Sequence, residues 1–586
     1  MKLIRLKLTD SKSFRSLHSG FEYHFRSQWE LDEELEREQG IAPFVCAGRN
    51  GSGKSNLLEL LAAIFFQLEV LRVRRSFLPE AFFYDEESNP EGMQDGHGIP
   101  NAYELEYQIA MPNDIHGATQ PHQIHVRVTK EEDSSPVVET IIRGVHDEEV
   151  VEEADEELLS WILPQYVVGY SSGENELLSL PFFKMRFIQF DEYWNALKTQ
   201  LKYSGRPDTR LAYLDNEFSQ AILLCNLLYN DPTTLEAFRQ DVGIKDLKEF
   251  RIIIKRSIYP SDEVLAQFGE RNSAFTREEF RQGINLMDRL EADRNSPKNF
   301  NPLVTRLKRC ATCHYTDSET DTLYLDYLVN DATRAAFRDN FDFEINKSPI
   351  ALFQAFQVLL SLNLFSVSDT LKADLYKSDS DYVNETVPTL ASDERIMRFK
   401  FVQFTKEGVD EPVMLKRLSD GEHQLLHSLG LCLLFKNTNS LFLLDEPETH
   451  FNPDWRSKFI TRLRQCFNED EFGRDILITT HAPFLISDSK KERVLVFEKE
   501  TDGNVRITKP EFNTFGASIN KITMNIFNKQ ETIGGHAHAV LSEFRKRFEE
   551  GGEKQKLIAE INRELGDSVE KVLLIKAILD SVEAAS

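Results

Sequence analysis

A glycine-rich loop between an apolar run and a helix-forming run constrains this chain more than any other feature. The apolar run PFVCA leads directly into GRNGSGKS at 48–55, and LLELLAAIFFQLEVL follows. The octapeptide fits the pattern G-x-x-x-x-G-K-[ST], and a strand before it with a helix after it is the context which that pattern requires. Glycines let successive backbone N–H groups point at phosphate oxygens, at the positive end of a helix. The loop therefore predicts a nucleotide phosphate site.

The residues of this loop have separate predicted roles. Lys54 is expected to neutralise the β- and γ-phosphates, and the Ser55 hydroxyl is expected to ligate Mg²⁺. The expected cofactors are accordingly ATP and Mg²⁺. The predicted nucleotide-binding residues are Gly48, Asn50, Gly51, Ser52, Gly53, Lys54, Ser55 and Asn56.

Two further apolar runs end in polar side chains. SLFLLDE ends in Asp445 and Glu446, and ILITT is followed by His481. Carboxylates at the end of a buried strand cost free energy unless they hold a cation or a proton. We predict that Asp445 is the second Mg²⁺ ligand and that Glu446 polarises an attacking water. We expect His481 to bond the γ-phosphate or that water. Lys54, Glu446 and His481 are thus the candidate catalytic groups.

The composition is that of a folded, acidic protein. The 586 residues include 69 Lys and Arg against 96 Asp and Glu, for a net charge of −27. Such a surface repels nucleic acid except where cations gather locally. The first residues lack the apolar core of a signal peptide, and the apolar runs are shorter than the roughly 18 residues that a membrane helix needs. We expect a cytoplasmic protein with no membrane partner.

The sequence predicts four regions. Residues 1–184 hold the P-loop and an antiparallel β lobe, because YELEYQIA and HQIHVRV alternate with period two. Residues 185–390 read as a mainly helical insertion. Residues 391–510 contain a hairpin with EGVD at its turn, a helix starting near His423 and two buried strands. Residues 511–586 read as helices.

Four motifs, taken in order, resemble those of ABC-type ATPases. Residues 418–422, LSDGE, are similar to the signature motif of the SMC and recombination-repair branch, and LLDEPE and THAP follow. The resemblance implies an α/β fold, an ABC-type P-loop ATPase head with a mixed sheet, an antiparallel β lobe, a helical insertion and C-terminal helices. It also implies a head-to-tail homodimer in which Ser419 and Gly421 of one chain cap the ATP bound by the other. Gln189 is the candidate for the family's Q-loop glutamine.

The run DEPETHFNP at 445–453 resembles soluble ATPases of bacterial anti-phage defence, such as the Septu-system ATPase PtuA and retron-associated ATPases. The resemblance implies an ATP-hydrolysing sensor or switch that controls a partner effector, expected to be a nuclease. Two alternatives stay open: an ATP-gated nuclease acting through its own C-terminal helices, and a DNA-repair ATPase. The chain has no HNH, Toprim or PD-ExK motif and no long heptad run, which disfavours both.

Weaker signals have ordinary explanations beside functional ones. Cys310-x-x-Cys313-His314 falls short of the four ligands of a closed zinc site, so a helical surface is the favoured interpretation over zinc shared between chains. Local basic patches lie at 71–75, 245–256, 306–309 and 545–556, the last of them interleaved with glutamates. If nucleic acid binds, it is expected at the first three. The C-terminal region contains the residue types of an acid–base ribonuclease site, namely His536, His538, Arg545 and Glu549. Their spacing matches no ribonuclease pattern.

Overall fold

Strands and helices alternate through most of the chain in the computed structural model. The residues that it describes are 1–586 apart from 37–40, 74–98, 111–122, 144–148, 174–175, 208, 216–217, 260–282, 292–301, 342–347, 368–370, 373–389, 468–472, 530–532 and 584–586. The described strands are β1 Lys2–Leu8, β2 Glu22–His24, β3 Phe44–Gly48, β4 Tyr103–Ala110, β5 Gln123–Lys130, β6 Val137–Arg143, β7 Glu149–Glu153, β8 Tyr166–Ser171, β9 Leu211–Leu214, β10 Ile244–Lys255, β11 Ser257–Ile258, β12 Ile284–Asn285, β13 Cys313–Asp317, β14 Thr322–Leu328, β15 Met397–Lys406, β16 Val413–Met414, β17 Ser440–Asp445, β18 Asp475–Thr480, β19 Val494–Lys499 and β20 Val505–Thr508.

The helices lie before, between and after these strands along the chain. The described α-helices are α1 Gln28–Glu36, α2 Lys54–Val73, α3 Glu156–Ile162, α4 Glu176–Lys198, α5 Ser219–Tyr229, α6 Leu303–Cys310, α7 Asp331–Asn340, α8 Ile350–Ser361, α9 Asp420–Leu434, α10 Pro453–Cys466, α11 Pro483–Ser487, α12 Ile519–Ile526, α13 Gly535–Glu549, α14 Lys554–Glu564 and α15 Val569–Glu583. In the part of the chain that the structure describes, no helix is long and apolar enough to cross a membrane.

A seven-stranded sheet in the order β20-β19-β3-β18-β17-β8-β9 forms the centre of the fold. Its strands run parallel except β20, which pairs antiparallel with β19. Side chains alternate between the two faces: Leu441 and Leu443 of β17 face the core around α2, whereas Phe442 and Leu444 face the core around α9. Burial on both faces explains why these strands read as continuous apolar runs.

A second, antiparallel sheet has the order β2-β1-β4-β5-β6-β7 and packs with α2 in one core. This is the predicted antiparallel β lobe, which the structure confirms. A buried ion pair ties it to the central sheet. Arg26 donates to both carboxylate oxygens of Asp475, at 2.7 and 2.5 Å, and the backbone N–H of Leu3 also donates to Asp475. Both charged side chains are almost fully buried.

The region 185–390 contains the predicted helices, among them α5 and α8, together with strands that the sequence did not predict. Strands β13, β14 and β10 join β15 and β16 in a five-stranded antiparallel sheet, in the order β13-β14-β10-β15-β16. The predicted hairpin is present as β15 and β16, and Gly408 supplies the left-handed residue of its turn with φ of +72°. The four region boundaries themselves stay a prediction.

The last three helices, α13 to α15, share a small core of their own. All three lie in the region 511–586, which the sequence predicts to be helical. Their buried side chains are Leu541, Phe544, Leu557, Ile561, Leu574 and Ile578.

Asp475→Ala should destabilise the head strongly, because it removes the buried, bidentate carboxylate partner of Arg26 and leaves its guanidinium with the Glu34 carboxylate, at 3.1 Å, as its charged partner. We expect the free energy of unfolding to fall by about 3–5 kcal/mol, measured by urea denaturation. Lys458→Ala is the control, since it breaks an exposed pair with Asp454 and should change stability by about 0.5 kcal/mol or less. Equal effects of the two substitutions would contradict a buried tie between the sheets.

Candidate nucleotide site

The glycine loop lies where β3 ends and α2 begins, at the centre of the parallel sheet. A Cβ on Gly48 would sit 2.6 Å from the carbonyl oxygen of Phe497, so no side chain fits there. Gly53 has φ of +91°, and a Cβ on it would sit 2.6 Å from Ser16 Oγ. Gly48 is therefore required for the loop to pass the backbone of β19, and Gly53 is required for its left-handed conformation beside the Ser16 and Val505 side chains. The sequence missed Ser16, which also accepts a hydrogen bond from Asn56 Nδ2 at 2.8 Å.

Several groups of the loop are left without partners or are exposed to solvent. Ser52 is buried, and its hydroxyl has no hydrogen-bond partner among the described residues. Asn50 and Gly51 are exposed at the tip of the loop. An unsatisfied buried hydroxyl beside a helix N-terminus fits a phosphate group, which accepts hydrogen bonds.

The three predicted catalytic groups form one contacting cluster. His481 Nε2 lies 2.8 Å from Glu446 Oε1 and 3.0 Å from Lys54 Nζ. Lys54 also donates to the carbonyl oxygens of Gly48 and Arg49, at 3.3 and 3.2 Å. Residues from α2, from the end of β17 and from the end of β18 therefore meet at one point, as expected for the carboxyl edge of a parallel sheet.

The pKa values of Lys54 and Glu446 are both lowered, but by different causes. Burial lowers the pKa of Lys54 below its ordinary value, and the Glu446 and Asp445 carboxylates oppose that shift. The hydrogen bond with His481 lowers the pKa of Glu446. Glu446 is therefore ionised at neutral pH and able to accept a proton.

The backbone of Glu446 adopts the left-handed conformation, with φ of +48°. A non-glycine residue in this region stores strain that the surroundings must hold in place. Thr479 does so, because its carbonyl and its hydroxyl oxygen accept the Glu446 N–H at 3.2 and 3.0 Å. No sequence signal marked Thr479, which lies within the apolar run ILITT.

The predicted metal ligands are also in contact. Ser55 Oγ donates to Asp445 Oδ1 at 2.8 Å, and Thr479 Oγ1 donates to the same oxygen at 2.6 Å. A hydroxyl and a carboxylate are hard oxygen donors of the kind that Mg²⁺ prefers. The residues present therefore fit a Mg²⁺ ion held between the P-loop and β17.

A second layer of polar residues lies behind this cluster. Glu448 is buried, and burial raises the pKa of its carboxyl to about 7. Thr480 donates to Glu448 and accepts from the N–H of Ala482, which fixes the turn that carries His481. Ser172 follows β8, and its N–H donates to the Asp445 carbonyl at 3.1 Å. The sequence assigned no role to Glu448, Thr480 or Ser172.

Arg49 connects the P-loop to the C-terminal part of the chain. Its guanidinium donates to the carbonyls of Phe527 and Asn528, at 3.0 and 2.9 Å, just after α12. The Phe527 ring lies 6.4 Å from the His481 ring, measured between centroids. The segment after α12 therefore contacts two groups of the nucleotide site.

The residues predicted from the resemblance are not part of this cluster within one chain. Ser419 caps α9 and exchanges hydrogen bonds with Glu422, whose backbone N–H donates to Ser419 Oγ. Gly421 is needed for close packing, because a Cβ there would lie 2.8 Å from the His450 carbonyl oxygen. Gln189 is buried in α4 and donates to Thr209 rather than to a P-loop group. Its assignment as a nucleotide ligand lacks support in this geometry.

The weaker candidates do not form sites in the described residues. Cys310 is buried with its thiol toward the Ala336 carbonyl, whereas Cys313 is exposed on β13, so the two do not converge on a metal. Among the described residues, no group of three or more His, Cys, Asp or Glu side chains is placed to hold a metal ion. His536, His538, Arg545 and Glu549 all lie on α13. The patch at 71–75 lies partly outside the described residues.

The strand order and this site have the arrangement of an ABC-type P-loop ATPase head. The glycine loop follows β3, the carboxylate pair ends β17, and the histidine follows β18, the strand between them. The fold class predicted from the sequence is thus confirmed.

Comparisons with known proteins agree with this class. Residues 313–487 match the family model described as AAA domain, putative AbiEii toxin, Type IV TA system. Protein ea59 of Escherichia phage lambda is 27% identical over 124 residues, which are 21% of this chain and 23% of that protein. The Retron Vc95 probable ATPase of Vibrio cholerae serotype O1 biovar El Tor is 22% identical over 178 residues, 28% of this chain and 34% of that protein.

The chain therefore covers about a quarter of the length of protein ea59 and about a third of the length of the retron ATPase. The SMC head domain from Thermotoga maritima aligns with 87% of this chain and 100% of its own, at 11% identity and a TM-score of 0.26. That score is low, and the class rests on the strand order and the site geometry.

Glu448→Gln should change the pH dependence of stability. Because the pKa of Glu448 rises from 4.5 to about 7 on folding, the wild type loses stability as pH increases between those values. The loss amounts to roughly 3 kcal/mol and is complete above pH 7. Glutamine keeps the oxygen that accepts from Thr480 and does not ionise. The thermal midpoint of the variant minus that of the wild type should therefore rise between pH 5 and pH 7.5, and a difference independent of pH would contradict the buried carboxyl.

Proposed function

We propose that this chain binds and hydrolyses ATP as a homodimer and acts as a switch in an anti-phage defence complex, where it controls a partner effector, expected to be a nuclease. The contact of Lys54, His481 and Glu446 beside the Ser55–Asp445 pair carries the ATPase part. The similarity to a retron ATPase and the DEPETHFNP run support the defence part. The resemblance to the Septu ATPase PtuA stays a prediction.

The residues around the loop have different roles in the proposed hydrolysis. Backbone N–H groups of the loop and the Lys54 ammonium bind the phosphates, and Lys54 exchanges the carbonyls of Gly48 and Arg49 for phosphate oxygens when it does so. Ser55 and Asp445 would hold Mg²⁺, which supplies charge neutralisation at the phosphates. Glu446 accepts a proton from the attacking water, since its carboxylate is ionised and directed by its strained backbone.

The signature residues would complete the site from a second chain. Ser419 and Asp420 are exposed at the start of α9, a helix of 15 residues. A helix N-terminus of this length offers backbone N–H groups and a partial positive charge to an anion. Within one chain, Ser419 bonds Glu422 and is free of the P-loop cluster, which supports an arrangement that needs a partner.

The proposed effector would be carried by the C-terminal helices. The core of α13 to α15 is separate from the two cores of the head, so this module is able to move as a unit. Arg49 links the segment before it to the P-loop. This contact supports the proposal that nucleotide binding is communicated to the partner.

Lys54→Ala and Glu446→Gln should separate ATP binding from hydrolysis. The first substitution removes the phosphate counter-charge and should abolish binding of a fluorescent ATP analogue. The second removes only the proton acceptor and should retain binding while lowering kcat by roughly 10²- to 10³-fold. Glu498→Gln, at an exposed position of β19, is the control and should leave both unchanged. Wild-type turnover by Glu446→Gln would refute the assignment.

Mixing two inactive variants tests the shared site. Lys54→Ala and Ser419→Arg each disable both sites of a homodimer, but a mixed dimer places both lesions at one site and leaves the other intact. ATPase activity should therefore return on mixing, toward about half of the wild-type rate per mixed dimer. Activity should also depend on protein concentration. If mixing restores nothing although the two variants are shown to associate, sites shared between chains are excluded.

A further inference from the structure

The five-stranded sheet of the insertion has one buried face and one solvent face. Along β14, Leu323 and Leu325 are fully buried in the core, so Tyr324, Asp326 and Leu328 point to the opposite face. The register extends that face across neighbouring strands. It pairs Tyr315 of β13 with Tyr324, Arg251 of β10 with Asp326, and Arg251 with Lys400 of β15.

Aromatic and cationic side chains form a continuous row on this solvent face. The rings of Tyr315 and Tyr324 stack with their centroids 4.6 Å apart and their planes 6° from parallel. The Arg251 guanidinium lies 5.6 Å from the Tyr324 ring and 5.6 Å from the Phe401 ring. Lys400 Nζ lies 5.0 Å from the Phe401 ring. We name Tyr315, Tyr324, Arg251, Phe401 and Lys400 the aromatic row; it crosses β13, β14, β10 and β15.

A β-bulge places Phe401 in the aromatic row. Glu249 pairs with Gln403 whereas Arg251 pairs with Lys400, so β15 has one residue more than β10 between these pairs. Phe401 is the residue with a left-handed backbone, φ of +54°, and the bulge lets Lys400 and Phe401 both reach solvent. A bulky residue with positive φ is strained, and such residues concentrate at functional sites.

Two rings of the aromatic row are exposed enough to contact a ligand. Tyr315 is 48% exposed and Phe401 is 40% exposed, at the two ends of the row. Three interstrand steps of about 4.8 Å separate their strands, a span of roughly 14 Å. Antiparallel sheets that present aromatic rings in this way stack about two or three bases of single-stranded RNA.

The charge around the row favours an anionic partner. Lys255 and Arg398 flank it and Lys400 belongs to it, and none of these three cations forms an ion pair with any residue in the described part of the chain. Arg251 donates to both carboxylate oxygens of Asp326, at 2.5 and 2.8 Å. This ion pair holds the guanidinium in place between the Tyr324 and Phe401 rings. Uncompensated cations beside exposed rings stand out in a chain whose net charge is −27.

We propose that this face binds single-stranded nucleic acid, with bases stacked on Tyr315 and Phe401 and phosphates at Lys255, Arg398 and Lys400. Stacking on aromatic rings tolerates every base, so binding has little sequence preference. A duplex does not satisfy the site, because its bases are already stacked on one another and present only their edges. The predicted basic patch at 245–256 thus becomes one part of a specific surface.

Oligonucleotide binding by the full chain tests the proposal. The probes are fluorescein-labelled 20-nucleotide dT and rU strands and a 20-base-pair duplex, measured by anisotropy with nucleotide-free protein at 50 mM salt. We expect binding of the single strands and at least tenfold weaker binding of the duplex. Tyr315→Ala and Phe401→Ala should each weaken single-strand binding by about 10-fold.

Three further variants make the test specific. Phe515→Ala removes another exposed ring, 59% exposed and outside this sheet, and should leave binding unchanged. Tyr315→Trp keeps a stacking surface and should retain binding. Arg398→Glu with Lys400→Glu should weaken binding and reduce its dependence on salt.

Two results would overturn the proposal. The first is the absence of single-strand binding by the wild type at low salt, which would leave the aromatic row as a contact for a protein. The second is binding that Tyr315→Ala and Phe401→Ala do not change. Because the assay contains no ATP, a failure of the proposed ATPase leaves its outcome unaffected.

Discussion

The fold depends on burying charged groups at the carboxyl edge of a parallel sheet. Lys54 is almost fully buried at the start of a helix that is itself buried, and burial of an ammonium is tolerated only next to carboxylates or carbonyls. Asp445, Glu446 and the loop carbonyls supply these partners. The strand order that brings β17 and β18 beside β3 is therefore also the order that makes the loop stable.

Residues at strand ends could be predicted because their chemistry conflicts with their surroundings. A carboxylate pair after a fully apolar run, or a histidine after ILITT, requires a partner that the sequence does not place nearby. Parallel strands then bring such ends together whatever their separation in the chain. Lys54 and His481 are 427 positions apart and touch. The glycine loop and the helix after it were predictable for the same reason, since local pattern and context agree.

The site residues and strands that were not predicted depend on pairings between strands, which no local sequence pattern contains. Thr479 and Ser172 bond the carboxylate strand only because β18 and β8 are its two neighbours, and neighbour order follows from the whole sheet. Strand β10 was not predicted, because its run IKDLKEFRIIIK mixes charged and apolar residues without clean alternation and bulges twice in its first half. The bulge at Phe401 shifts the alternation of β15 by one residue. The roles proposed for Ser419 and Gly421 involve a second chain.

The contact of Arg49 with the carbonyls of Phe527 and Asn528 has a thermodynamic consequence. It makes the position of the segment after α12 and the state of the P-loop parts of one equilibrium. Any ligand of the C-terminal helices that favours one position of this segment must change the affinity for nucleotide by some factor. By reciprocity, nucleotide then changes the affinity for that ligand by the same factor. Under the proposed function, control would therefore run in both directions, and a partner that binds the C-terminal helices would act on the nucleotide site as well as respond to it.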